Sequence, residues 1–229
     1  MKRISTLFLF SLLFFSFGGF ATTLTPFNVQ YDVYRNNSKI GIANFELNQL
    51  NGIWHWDMQT KAQGFYRFLT RKQPFTQTQM QIINNEAKLL LEQTGDYPDK
   101  PAKHTTWFDF NSSTLYSMQG NAVKTLELPA QVYNYHSIHL LYPLMLQQQL
   151  SQLKVNFYKK GSITSALIML EKNVDVEHKS KKLVVDRVTQ KFENSDKTMV
   201  YDYQKGSIAP VRIEQVRPGK DITMMWQTH

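Results

Sequence analysis

The sequence predicts a mainly β protein: a single long antiparallel sheet curled into an open or half barrel around one α-helix near residues 134–150, with a kink or restart at Pro143. Three observations predict it. Short runs of alternating apolar and polar residues recur on both sides of the middle of the chain, each bounded by Asn, Gly, Pro or Ser. Asn51-Gly52 joins two such runs through the turn that suits twisted strands, which needs positive φ at both central positions. One stretch, Val132 to Leu150 (VYNYHSIHLLYPLMLQQQL), breaks the alternation: Ile138, Leu141, Tyr142 and Met145 follow helix spacing, and Leu140 and Leu144 widen that face. A strand-rich chain must hide its sheet edges, and coverage by this helix does so. A two-sheet sandwich is the alternative arrangement.

Taken in order, the chain of 229 residues opens on an address rather than a strand. Lys2 and Arg3 precede a Leu- and Phe-rich run from Ile4 to Phe17, and Gly19-Phe20-Ala21 offers small residues where a signal peptidase reads. Residues 1–21 are thus expected to be a cleavable signal peptide and 22–229 one β-rich domain, periplasmic or secreted. A membrane anchor is the competing reading, against which stand the shortness of the run and the interruptions at Ser5, Ser11 and Ser16. No Cys follows, so lipoprotein processing is excluded.

Phe27 to Tyr34 places Phe27, Val29, Tyr31 and Val33 on one face of a first strand. Asn36-Asn37 turns it into Ile40 to Leu50, where Gly41 marks a bulge or close approach. Ile53 to Ala62 carries Trp54, Trp56 and Met58 on one face and His55, Asp57 and Gln59 on the other. Phe65, Phe68 and Leu69 form a short apolar patch before the strand Phe75 to Ile83, and Asn84-Asn85 turns that strand into Ala87 to Gln93. Thr94 to Lys103, with two Pro, a Gly and several charges, reads as a rim loop. His104 to Phe110, Thr114 to Met118 and Ala122 to Leu128 complete the first half, and Pro129 ends it. After the helical stretch, strands are expected at Leu153 to Tyr158, Ile163 to Leu170, Val174 to His178, Leu183 to Phe192, Met199 to Tyr203, Ile208 to Val216 and Ile222 to Trp226.

The absence of Cys removes disulfides, thiolate chemistry and Cys-based metal sites. A formal net charge of +8 favours anionic partners such as lipid headgroups, with peripheral membrane contact, over nucleic acid, for which no motif exists. The plainer reading is a basic protein with no anionic partner, and the run His178 to Lys182 suits a solvated hairpin tip. His136 and His139 stand three apart and would share one side of a helix, yet no third ligand is evident, so loop or capping histidines are expected and no metal or cofactor. No catalytic residues emerge: Gly-x-Ser-x-Gly is absent, Asp57, Asp109, Asp186 and Asp202 are scattered on strands, and Asn134 to Ser137 is better explained as helix capping.

The order of features resembles the bacterial exported family called domain of unknown function 3108. Pro26-Phe27-Asn28-Val29-Gln30-Tyr31 followed by Gly41 is similar to its opening strand, and Gly64-Phe65 to its next Gly-containing stretch. Asn134 to Leu141 resembles its mid-chain helical motif, with Asn134 where the family often has Asp. Pro210-Val211-Arg212-Ile213-Glu214 is similar to its late strand element, whereas Tyr201-Asp202-Tyr203 departs from the usual Leu-Trp. The resemblance implies an envelope location and an antiparallel β fold similar to the open barrels of lipoprotein carriers. It implies no established reaction.

The aromatic and Met residues are expected either to fill a core or to line a cavity for an acyl chain between sheet and helix. The lining candidates are Trp54, Trp56, Phe65, Phe68, Trp107, Leu141, Tyr142 and Met145, with the joint at Leu141 to Leu144 the first place to look for a ligand. The expected role is a non-catalytic binding or carrier module for a hydrophobic or anionic envelope molecule, such as a lipid. A structural or assembly partner of an envelope complex comes second and an envelope hydrolase third.

Overall fold

The computed structural model describes residues 24–227 apart from 71, 84–85, 98–101, 179 and 220. The expected leader and the Asn84-Asn85 turn lie outside the described residues. Fourteen strands form one antiparallel sheet: β1 (Phe27–Arg35), β2 (Ser38–Leu50), β3 (Ile53–Ala62), β4 (Gln73–Ile83), β5 (Glu86–Tyr97), β6 (His104–Asp109), β7 (Thr114–Gln119), β8 (Ala122–Glu127), β9 (Gln152–Lys159), β10 (Ser162–His178), β11 (Lys181–Phe192), β12 (Thr198–Tyr203), β13 (Arg212–Val216) and β14 (Ile222–Trp226). Two short helices, α1 (Tyr66–Leu69) and α2 (Leu141–Gln147), and a 3₁₀ turn (Ser137–Leu140) are the other regular elements among the described residues. Among the described residues no helix is long and apolar enough to cross a membrane.

The sheet is not closed. Its order runs β8 back to β1, then β14 back to β9, so the first and last strands pair in its middle, Tyr31 opposite Trp226. The two edges, β8 and β9, are consecutive in the chain and are joined by the segment 128–151. That segment covers the β9 edge: Tyr133 N–H donates to Asn156 O (2.9 Å) and Tyr158 N–H to Tyr133 O (2.7 Å). Across the seam the Tyr158 hydroxyl meets Thr106 Oγ1, its ring stands edge-on to Phe108 at 5.2 Å, and Lys124 Nζ donates to Gly161 O (3.2 Å). Side chains thus close what the backbone leaves open.

Local chemistry explains the strand ends. Asn51 and Gly52 have φ of 51° and 78°, the pair of left-handed residues the hairpin requires. At Gly41 a Cβ would stand 2.4 Å from Lys61 O, and the β1–β2 register shifts beside it, so the close approach and the bulge coincide. Three strand expectations are corrected. Thr94 to Tyr97 extends β5 rather than opening a loop, because Gln73 to Thr76 pairs with it throughout. The runs Ile163 to Leu170 and Val174 to His178 are one strand, β10, interrupted by a bulge at which Asn173 adopts φ 56°. Ile208 to Pro210 lies outside the strands, and β13 begins at Arg212.

The helical stretch is a two-part plug in the concavity. Pro143 is the third residue of α2, where its missing N–H is one no intrahelical acceptor awaits. The turn before it is 3₁₀, with Leu141 N–H on Ile138 O. Gln149 at φ 55° ends α2, and Leu150 N–H returns to Met145 O (2.9 Å). Ile138, Leu141, Tyr142 and Met145 are all buried, in a cluster with Val29, Tyr31, Phe157, Ile168, Tyr201 and Tyr203. Trp54, Trp56, Met80, Leu89, Phe108 and Leu115 form a second cluster on the β3–β7 side.

Candidate binding site

The plug is fixed to the wall before it turns helical. Asn134, fully buried, accepts the backbone N–H groups of His136 (3.1 Å) and Ser137 (2.9 Å) on Oδ1, while its own N–H donates to Ser137 Oγ (2.9 Å). This is the reciprocal logic of a capping box. The same side chain donates from Nδ2 to Thr78 Oγ1 on β4 (2.9 Å) and to Glu92 Oε2 on β5 (2.6 Å). Burial pushes the Glu92 carboxyl up to about 7, with the Asn134 bond opposing the shift.

The two histidines are buried wall residues, a correction to the loop or capping role expected of them. His136 Nδ1 lies 2.9 Å from Thr78 Oγ1 and His139 Nδ1 2.5 Å from the Tyr203 hydroxyl. Both rings stack on the Trp56 indole, at centroid distances of 5.6 and 5.2 Å. Burial holds each imidazole far below its ordinary range, at about 3, so both are neutral at physiological pH. His136 Nε2 is buried without a hydrogen-bond partner among the described residues. Those residues include no group of three or more His, Cys, Asp or Glu side chains placed to hold a metal ion.

A cavity of about 250 Å³ opens beside this half of the plug. Phe45, Met58, Met199, Tyr201, Ile213 and Met224 supply an apolar wall from both halves of the sheet; Tyr135, His136 and His139 line it from the plug, with Glu92 beside them. Lys159, Lys160 and Lys197 also line it, with Thr76, Thr94 and Gln215. Lys197 Nζ donates to the Tyr135 hydroxyl (3.0 Å) and sits 4.7 Å over its ring. Partial burial, with the charges of Lys159, Arg217 and Lys160, lowers the Lys197 ammonium to about 8. Among the described residues no carboxylate forms an ion pair with these three lysines. An apolar body fits the Met-rich wall, and an anionic group would offset the crowded positive charge.

None of the eight lining candidates borders this cavity. Trp56 backs it, behind the two imidazoles. Trp54, Leu141, Tyr142 and Met145 are packed in filled core; the Tyr142 ring stacks on Tyr203 at 4.3 Å and its hydroxyl donates to Asp186 Oδ2 (3.0 Å). Trp107 points out from β6 at 42% exposure, and Phe65 and Phe68 stand in solvent at α1. The joint of the plug borders a smaller hollow of about 140 Å³, with Leu140, Pro143 and Leu144 facing Leu24, Ile82 and Ile208. The residues that do line the cavity include Met58, which shares the inward face of β3 with Trp54 and Trp56, and Phe45, which alternates inward in β2 between Ala43 and Leu47. Those alternations were the available signal. Nothing in the sequence marks Lys197.

No protein-family model matches the chain, and no curated protein matches it in sequence. Among solved structures it is similar to the crystal structure of a beta-barrel-like protein of domain of unknown function DUF1849 from Brucella abortus, with a TM-score of 0.57 at 10% identity. The likeness covers 90% of this chain and 97% of that one. It is a likeness of fold. Both chains thus share a barrel-like antiparallel architecture.

Proposed function

We propose that the protein is an exported, non-catalytic binding or carrier module of the cell envelope that takes a hydrophobic or anionic envelope molecule into the cavity beside Tyr135 and His139. The observation that carries this reading is an apolar cavity lined also by three lysines that no described carboxylate neutralises. Its volume of about 250 Å³ is just under the range of about 300–1,000 Å³ typical of small-molecule sites, a size for part of an amphiphile. Apart from the Glu92 carboxyl, the neutral histidines and the methionines give the inner wall no charge to desolvate, while Lys159, Lys160 and Lys197 meet an acidic head. The basic, Leu- and Phe-rich start of the chain supports export, and the resemblance to domain of unknown function 3108 supports an envelope role.

Native mass spectrometry of the protein purified from its own cells, coupled to lipid analysis of the released material, tests the reading. A bound amphiphile retained by the wild type and lost from Met58→Trp, which fills the cavity, is the expected result. A ligand-free protein that takes up no fatty acid or phospholipid when these are supplied overturns it.

A further inference from the structure

Among the described strand connections, the α1 arm between β3 and β4 stands out. Phe65 and Phe68 are 71% and 86% exposed, and Tyr66 beside them is 36% exposed. The arm is no loose loop: Gly64 at φ 57° starts it, Arg67 N–H donates to Gly64 O (3.2 Å), Phe68 N–H to Phe65 O (3.0 Å) and Thr70 N–H to Tyr66 O (3.2 Å). Three of its backbone N–H groups therefore find acceptors within the arm, which lowers the cost of entering a low-dielectric interface. Lys61, Arg67 and Lys72 border the same hollow as Phe68. From Gln59 to Asn85 the sequence carries four cationic residues and no Asp or Glu.

Strand direction fixes where this arm points. Ala62 pairs with Gly41 and Gln73 with Tyr97, so α1 caps the barrel end at which β9 turns into β10 through Lys160-Gly161 and β11 into β12 through Lys197. That is the end toward which the lysines of the cavity lie. Aromatic side chains flanked by Lys and Arg, with no acid among them, match the boundary between acyl chains and anionic headgroups.

We infer that the α1 arm is a membrane-docking element, with Phe65 and Phe68 entering the interface of an anionic bilayer and Lys61, Arg67 and Lys72 resting on its headgroups. Charge complementarity selects this occupant over an apolar protein groove. The inference stands apart from the proposed cavity ligand, and its test needs none.

Protein recovered from the soluble fraction of expressing cells is sedimented with vesicles of phosphatidylcholine alone and of equimolar phosphatidylcholine and phosphatidylglycerol. Binding is expected to the second kind only, weakening as salt is added. Phe65→Ser/Phe68→Ser and Arg67→Glu/Lys72→Glu should each bind at least about tenfold more weakly, with unchanged Tm because these side chains stand in solvent. Should the aromatic double variant lose Tm, Phe68→Ser alone, at the most exposed position, gives the same comparison. Wild type that ignores anionic vesicles, or aromatic variants that bind like wild type, overturn the inference. So does self-association in lipid-free solution that the same substitutions abolish, which would assign the arm to a second copy of the chain.

Discussion

The two halves of the plug occupy one concavity and do opposite things. Leu141, Tyr142 and Met145 meet the sheet in filled core, and the one polar tip among them, the Tyr142 hydroxyl, is taken by Asp186. From Asn134 to His139 the chain is held by hydrogen bonds to Thr78, Glu92 and Tyr203, and the cavity opens beside it. Close-packed interiors collapse around unfilled space unless their walls are held by something other than packing. Here the hydrogen-bonded half supplies such a wall, and the apolar half supplies stability.

Acidification gives the largest test of this division. The folded pKa of both histidines is depressed to about 3 from 6.5, so the stability they contribute is present above pH 6.5 and lost as pH falls toward 3. Between pH 6.5 and 4.5 the loss is about 5 kcal/mol for the pair. Urea unfolding of Glu92→Gln at pH 7 and at pH 4.5 measures it, because in wild type the Glu92 carboxyl gains stability over the same range and offsets part of the loss. Equal unfolding free energies in that variant would dissolve the distinction. Next in size, Tyr142→Ala should cost about 4 kcal/mol, whereas Met58→Ala, beside existing space, should cost about 1. Similar losses at the two sites would mean that the cavity side is as tightly filled as the core.

A third test isolates the anchor. Glu92 has a raised folded pKa, about 7 against 4.5, so its contribution is fully present below pH 4.5 and lost as pH rises through 7. Glu92→Gln keeps an acceptor for Asn134 and removes that loss. The variant should match wild type near pH 4.5 and exceed it by up to about 3 kcal/mol at pH 8, read from urea midpoints at the two pH values. A variant no more stable at pH 8 would place the wall's rigidity elsewhere.

Much of the fold was legible because strand alternation, Asn51-Gly52 and Gly41 each report a local requirement of the backbone. Pro143 pointed to a restart of the helix, but the restart falls two residues earlier, at Leu141, because the first turn of a helix tolerates proline beyond its first position. The site was not, because apolar spacing at Ile138, Leu141, Tyr142 and Met145 marks what fills a core, and a cavity is where filling stops. Its walls depend on which distant strands meet. Phe45 and Met224 come from near opposite ends of the chain and face one space only because β1 and β14 pair. The polar residues that hold the wall, Asn134, His136 and His139, stood in plain view as caps or stray histidines, since a sequence does not say that Thr78, Glu92 and Tyr203 will surround them.

The pairing of β1 with β14 also sets an order of assembly. Strands β1 to β8 can form as one meander and β9 to β14 as another, each from neighbours in the chain, but the bond between the halves waits for the last strand. Tyr31 and Trp226 meet only once β14 has been made, so a nascent chain short of β14 holds two half-sheets with open edges and no cavity. The cavity wall is therefore unfinished until the last of the fourteen strands has joined.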